Sequence, residues 1–390
     1  MTNYDKLLGE IQALGMDKKW AKMFVKKLAD DEVAFKMTDE EKAWAMKKGF
    51  FPGRIKLYGL TEENYDNYLP DYKYFMMHPL NHHFRIWVND KLTLKYILNS
   101  NGCEASMPEY YLYVENNGTY TYLMDAPKHI KKDKDFILNL LKHKGCLAMK
   151  PNSGTSGGLG FIKLELRDNC LYENNKQITM DRYNEIVENI PNYIVTQYVK
   201  QHRDLAKIWG DSECTLRVIM AKTPSKDKST PSDWTCTVSY ARFGSQISGG
   251  ASNLSSGGIG IGFNFETGMY NDFAIRYKKF CDDGNTILYK HPDTNVIWKG
   301  EGLPNWQYVK DMIKNICSHI SSTSYLGFDV IITENGMNLC EINTHPASDY
   351  EQVMCGPILA KPEAKTFFES KGLNNFSGED FYDAYLKCQE

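Results

Sequence analysis

The sequence predicts an α+β protein with mainly antiparallel sheets, preceded by a helical N-terminal region. Three observations lead there. Helical and strand patterns alternate along the chain, yet several neighbouring strands are separated by short turns. Residues 328–333 and 337–342 read as strands joined by a tight Asn335-Gly336 turn, and residues 215–221 pair with residues 234–243 across the loop between them. At 390 residues the chain exceeds one ordinary core, so two or three subdomains are expected.

Taken in order, residues 4–50 are helical, with Leu7, Leu8, Ile11 and Leu14, then Trp20, Met23, Phe24 and Leu28, at steps of three and four. Lysines fill the opposite face, as on a solvated face of a packing helix. Pro52-Gly53 breaks the pattern, and Thr61 followed by two glutamates signals a short helix. Asn89-Asp90-Lys91 opens an amphipathic helix carrying Leu92, Leu94, Ile97 and Leu98, with Asn101-Gly102 as its stop. A strand follows at 110–114, a helix at 136–141 and an apolar strand at 146–149 that ends on Lys150. Further strands are expected at 161–166, 193–199 and 263–265, with helices at 179–189 and 305–322. The glycine- and serine-rich stretch 248–260 reads as a substrate loop or lid, or as a long linker.

Composition is that of an ordinary soluble globular chain, with 42% hydrophobic and 24% charged residues. A net charge of −3 provides no general attraction to nucleic acid or an anionic membrane. With no signal-like segment and no apolar run long enough to span a bilayer, a cytoplasmic location is expected. The ten cysteines show no zinc-type or redox-pair spacing and read as reduced thiols.

The last hairpin organises the candidate chemistry. It returns Glu341 to the neighbourhood of Asp329, and Asn343 projects from the same face as Glu341. Two carboxylates and an amide oxygen suit Mg²⁺ with nucleotide phosphates as its other ligands; they would also suit a polar hairpin end with no metal. Upstream, Lys150 precedes Pro151 and the loop Ser153-Gly154-Thr155-Ser156-Gly157-Gly158. Backbone N–H groups in such a loop can approach phosphate oxygens closely. It is not a Walker A loop, because no Gly-Lys-Ser/Thr closes it and no helix follows. A glycine-rich hairpin would look the same. Gln197 and the Val199 backbone can meet an adenine edge, and Asp204 can accept from ribose hydroxyls; each is also compatible with an ordinary surface. Asn253, Ser255 and Ser256 in the lid candidate, with His345 and Asp349 after the hairpin, are candidate substrate contacts. His78, His82 and His83 beside Arg85 are either acceptor-pocket or structural histidines.

These residues carry a resemblance. Asp90-Lys91, the Lys150 strand with its loop, the Gln197–Val199 linker, Thr215-Leu216-Arg217 and Asp329…Glu341-x-Asn343 occur in the order of the ATP-grasp ligases. Gln201-His202-x-x-Leu205 and Ser255-Ser256-Gly257-Gly258-Ile259 resemble the sugar-transfer-associated group, found with capsule and surface-polysaccharide genes. The resemblance spans about residues 80–360. It implies an ATP-grasp fold: a helical region (1–80), a pre-grasp segment with the first subdomain (81–198), a second subdomain with the metal hairpin (199–365) and a helical tail (366–390).

By the resemblance, Lys91, Lys150 and the glycine loop hold ATP phosphates, while Gln197, Val199 and Asp204 hold adenosine. Asp329, Glu341 and Asn343 hold two Mg²⁺ ions. The related D-alanine–D-alanine ligases place an arginine two residues before the first metal carboxylate, where this chain has Gly327, leaving Arg217 and Arg242 as candidate catalytic cations beside Lys150. The implied activity is ADP-forming carboxylate–amine ligation through an acyl phosphate, on a small-molecule acid such as a nucleotide-linked uronate. The alternatives are an amino-acid or peptide ligase of the same fold, and an ATP-binding scaffold without turnover. No elbow or Cys/His nucleophile signature competes with these readings.

Overall fold

The computed structural model describes residues 3–153, 159–225, 227, 229–230, 232–281 and 286–389. The helices among them are α1 (Asn3–Ala13), α2 (Lys18–Ala34), α3 (Asp39–Lys47), α4 (Arg54–Tyr58), α5 (Asp71–Met76), α6 (Arg85–Asn89), α7 (Lys91–Leu98), α8 (Phe136–Lys144), α9 (Met180–Glu188), α10 (Arg203–Ile208), α11 (Trp306–His319), α12 (Tyr350–Cys355), α13 (Pro362–Ser370) and α14 (Gly378–Lys387). The strands of the first sheet are β1 (Tyr110–Val114), β2 (Tyr120–Tyr122), β3 (Cys146–Pro151), β4 (Ile162–Arg167), β5 (Cys170–Glu173), β6 (Lys176–Ile178) and β7 (Tyr193–Gln197). Those of the second are β8 (Thr215–Lys222), β9 (Trp234–Phe243), β10 (Ile259–Phe263), β11 (Tyr270–Ile275), β12 (Ile287–Leu288), β13 (Tyr325–Thr333) and β14 (Gly336–Asn343). Their orders are β2-β1-β7-β3-β4-β5-β6 and β12-β11-β10-β9-β8-β13-β14.

Every strand pair is antiparallel, as expected from the hairpins. Alternation along β8 shows how the second sheet is sandwiched. Leu216, Val218 and Met220 point into a core with α7, α10 and α11, while Ile219 and Ala221 point to the other side. On that other side lie α1, α2, α5, α13 and α14, centred on Phe24 among Phe51, Tyr72, Phe75 and Phe381. The two chain ends therefore form one helical layer over the second sheet. The first sheet has its own core with α8 and α9.

The differences from expectation have local causes. Thr61 caps a turn rather than a helix; only the 3₁₀ turn Tyr65–Asn67 follows. Strand β10 begins inside the glycine-rich stretch and ends at Phe263, two residues before the expected strand ends. Its Gly260 reads as a loop residue, but a Cβ there or at Gly262 would strike Met354 of α12, so the bareness of both lets that helix lie on the sheet. The last hairpin turns at Glu334-Asn335, one residue earlier than expected, with Thr333 opposite Gly336.

Candidate active site

The hairpin β13–β14 contains a bulge. Val330 faces Leu339, whereas Asp329 faces Glu341, so Cys340 is the extra residue. The bulge is what brings the two carboxylates opposite each other. In an unbroken register Asp329 would face Cys340. Arg217 of β8 flanks Asp329 on the other side.

Asp329 is almost fully buried and ion-paired twice. It accepts from Arg217 Nε and, at 2.9 Å, from Arg217 Nη2, and Arg242 Nη2 lies 2.9 Å from the same Oδ2. Burial works against its charge, but the two guanidiniums outweigh burial and hold the carboxyl down to about 2. Sequence reasoning placed Asp329 among the metal ligands; in the arrangement seen, both its oxygens serve the arginines. Gly327 explains why no arginine stands two residues earlier, because a Cβ there would already meet Pro346 at 3.0 Å.

Glu341 is more open. Its Oε2 lies 3.4 Å from Lys91 Nζ, and its Oε1 accepts from the Asn343 amide at 3.2 Å. Lys150, on β3 of the first sheet, reaches the same place. Burial depresses its pKa, as does Lys91, while Cys340 and Glu341 oppose that shift. The ammonium also sits over the Tyr110 ring, 5.9 Å from its centroid. Residues far apart in sequence and on two different sheets thus meet as a cationic and carboxylate cluster. Among the described residues no three His, Cys, Asp or Glu side chains converge as a ready metal cage. Glu341 and Asn343 nevertheless offer hard oxygen donors to a cation such as Mg²⁺, with phosphates supplying the remainder. The donor chemistry fits, with Asp329 able to join only as an arginine releases it.

Lys91 is held by a residue that motif reading missed. Asn152, buried just after Lys150, accepts from the Leu92 N–H at 2.9 Å and donates to Asp90 Oδ2 at 2.6 Å. Its carbonyl accepts from the Lys91 N–H at 3.3 Å, and Asp90 caps α7 through the Thr93 N–H. The start of α7 is therefore stitched to the end of β3, which fixes both lysines in one frame. The signal was present as an asparagine directly after Lys150-Pro151, but nothing local assigns it a partner 60 residues away.

The remaining candidates divide. Gln197 ends β7 with its Oε1 accepting from the Glu109 N–H at 3.3 Å, and Val199 is half-buried just beyond. Asp204 is exposed on α10 and accepts from Lys207 at 2.6 Å. Ser153 is exposed; Gly154, Thr155, Ser156, Gly157 and Gly158 lie outside the described residues. The lid candidate is a pinned loop. Ser245 bonds Ser248 and the Gly257 carbonyl, Gly258 N–H donates to the Asn253 carbonyl, and Leu254 is buried. Within it Asn253 accepts from Arg242 at 3.5 Å, while Ser255 and Ser256 are exposed.

Asp349 is engaged in ion pairs. Burial would raise its pKa, but Lys27 at 2.9 Å and Arg54 at 3.9 Å hold it well below the carboxylate range. Arg54 in turn binds Asp31 and Asp71, so this buried network ties the N-terminal helices to the segment after the hairpin. His345 packs edge-on to Trp20, with ring centroids 5.0 Å apart.

Among curated proteins no match is found. In solved structures the chain is similar to the ATP-grasp ligase PsnB complexed with a phosphomimetic variant of minimal precursor, Mg and ADP (12% identity, 75% of this chain and 61% of that chain, TM-score 0.36). It is also similar to D-alanyl-alanine synthetase A from Vibrio cholerae O1 biovar eltor (14%, 74% and 65%, TM-score 0.39) and to D-alanine–D-alanine ligase from Bacillus anthracis (13%, 77% and 67%, TM-score 0.34). The chain spans less than two thirds of the first two. All three likenesses are distant. A family model described as sugar-transfer associated ATP-grasp matches residues 76–366, most of the chain, and the chain belongs to that family.

Proposed function

We propose that this protein is an ADP-forming carboxylate–amine ligase that uses ATP with two Mg²⁺ ions and amidates a sugar acid, such as a nucleotide-linked uronate, for capsule or surface-polysaccharide synthesis. The observation that carries the reading is the meeting of Lys91, Lys150 and Glu341, from separate elements, beside the paired Arg217 and Arg242. The family's description supports a sugar-linked substrate. No described helix is long and apolar enough to cross a membrane, in keeping with a cytoplasmic enzyme acting on small molecules.

The chemistry follows from leaving groups. A carboxylate cannot expel oxide, so one of its oxygens takes the γ-phosphoryl group and ADP departs. An amine then attacks the acyl carbon, phosphate leaves and the nitrogen loses a proton. Such transfers need charge neutralised over phosphate oxygens rather than a side-chain nucleophile. Lys91 and Lys150 hold the phosphates, and the guanidiniums of Arg217 and Arg242, oriented by Asp329, face the reacting groups. Magnesium, held by Glu341 and Asn343, screens phosphate charge when bound. Water must be kept from the acyl phosphate, which asks for closure of the two sheets on the nucleotide.

The test is ADP release from ATP with panels of sugar acids and amines. Release that requires both an acid and an amine, with the amide found by mass spectrometry, is expected. Nucleotide binding accompanied only by background hydrolysis across all combinations would refute the ligase reading.

A further inference from the structure

The two arginines on Asp329 are held differently. Arg217 meets the carboxylate side-on, donating from Nε to Oδ1 and, at 2.9 Å, from Nη2 to Oδ2. That leaves its Nη1, with both hydrogens, without a hydrogen-bond partner among the described residues. Every nitrogen of Arg242 has a partner instead. Its Nε donates to Thr215 Oγ1 at 3.0 Å, its Nη1 reaches Asn253 Oδ1 at 3.5 Å, and its Nη2 lies 2.9 Å from Asp329 Oδ2. Strand β8, strand β13 and the serine- and glycine-rich loop together fix the plane of this guanidinium.

Strand register separates the two further. Arg217, Asp329 and Glu341 are direct neighbours across β8, β13 and β14, so they form one row. At the end of that row Lys91 Nζ lies 3.4 Å from Glu341 Oε2. Arg242 stands outside it, opposite Thr215, two residues along β9 from the partner of Arg217. The loop is shaped to meet it there. A Cβ at Gly258 would lie 2.5 Å from the Ser252 carbonyl oxygen, so the bare backbone lets the loop fold back on itself. Ser252 Oγ then sits 3.2 Å from Thr215 Oγ1, beside the Asn253 contact to Arg242.

We propose that Arg217 is the catalytic guanidinium, its Nη1 donating to an oxygen of the phosphoryl group as that group passes from ATP to the acid. Arg242 is a positioning residue: Thr215 and Asn253 hold it so that it fixes Asp329, and through Asp329 the fork of Arg217. This rests on the ligase reading above. It gives the serine- and glycine-rich loop a bracing role in the reaction and makes Asn253 part of that brace.

The test is calorimetric titration of the full chain with ADP and Mg²⁺, with and without aluminium fluoride, a mimic of a phosphoryl group in transfer. The readout is the gain in ADP affinity that aluminium fluoride brings. Arg217→Lys, Arg242→Lys, Thr215→Val, Thr215→Ser and Asn253→Ala are compared with wild type, with Arg217→Met as a second variant at that position and circular dichroism to confirm folding. Lysine at 217 can still pair with Asp329 but has no second nitrogen to offer. Expected is a gain of at least about tenfold in wild type that Arg217→Lys abolishes. Thr215→Val, Asn253→Ala and Arg242→Lys should each reduce it about threefold, and Thr215→Ser should restore it. The assignment of Arg217 is overturned if Arg217→Lys and Arg217→Met keep the gain, if Arg242→Lys loses as much as they do, or if wild type binds ADP without any gain. The brace is overturned if Thr215→Val and Asn253→Ala leave the gain unchanged, or if Thr215→Ser behaves as Thr215→Val. Absence of ADP binding in wild type sinks the ligase reading, and this proposal with it.

Discussion

Replacing Asp329 with asparagine separates its two possible roles. Its carboxylate is 8% exposed and answers two guanidiniums. A carboxyl held at about 2 against an ordinary 3.8 contributes on the order of 2 kcal/mol above pH 4. Leaving two cations uncompensated in a buried place costs on the order of 3–5 kcal/mol. Asp329→Asn should therefore destabilise the protein by about 3 kcal/mol at pH 7, measured by urea unfolding followed through the fluorescence of its seven tryptophans. The sign with pH is fixed by the depressed pKa. The contribution is complete above the unfolded value and is lost as pH falls through the folded one, so the gap between wild type and variant should shrink to about half at pH 3. A loss below about 1 kcal/mol at pH 7, or a gap that does not narrow in acid, would refute the view that this carboxylate is chiefly the counter-ion of Arg217 and Arg242.

Glu341→Gln should behave oppositely: its half-exposed pairing with Lys91 is worth less than about 1 kcal/mol, so stability barely moves, while ADP release falls by about 100-fold or more with nucleotide still bound. Near-normal turnover would remove Glu341 from the metal site. Asn152→Ala deletes the bonds to Leu92 and Asp90, and should cost about 1–3 kcal/mol in a thermal or urea melt and weaken ADP binding in calorimetry, because Lys91 loses its fixed seat. Unchanged ADP affinity would show that the stitch is structural only. Asp349→Asn leaves Lys27 without its partner and removes one of the three carboxylates around Arg54; discounted for the partly exposed lysine, it should cost about 2 kcal/mol while leaving substrate KM within about twofold. A large rise in KM with little loss of stability would return Asp349 to the substrate site.

Much of the framework around the candidate site was legible because its elements are local. Helix starts and strand pairs are set by periodicity, capping residues and turn residues, which act within a few residues. The pair 215–221 with 234–243 was correctly joined for that reason. Gly260 was misread because its reason is a helix almost a hundred residues later, whose Met354 occupies the space a Cβ would take. The ion pairs of Asp349 could not be read locally because its cations, Lys27 and Arg54, belong to a distant helical layer.

The sequence alone determined the antiparallel α+β architecture and the order of the elements that carry lysine, glycine loop, linker and carboxylate hairpin, since those depend on short-range pattern. Tertiary structure decided what each charge faces. The bulge at Cys340 sets Asp329 opposite Glu341, the second sheet delivers two arginines to Asp329, and helix α2 brings Trp20 to His345. A side chain's charge is written in its identity, but its partner is chosen by packing between residues that only folding makes neighbours.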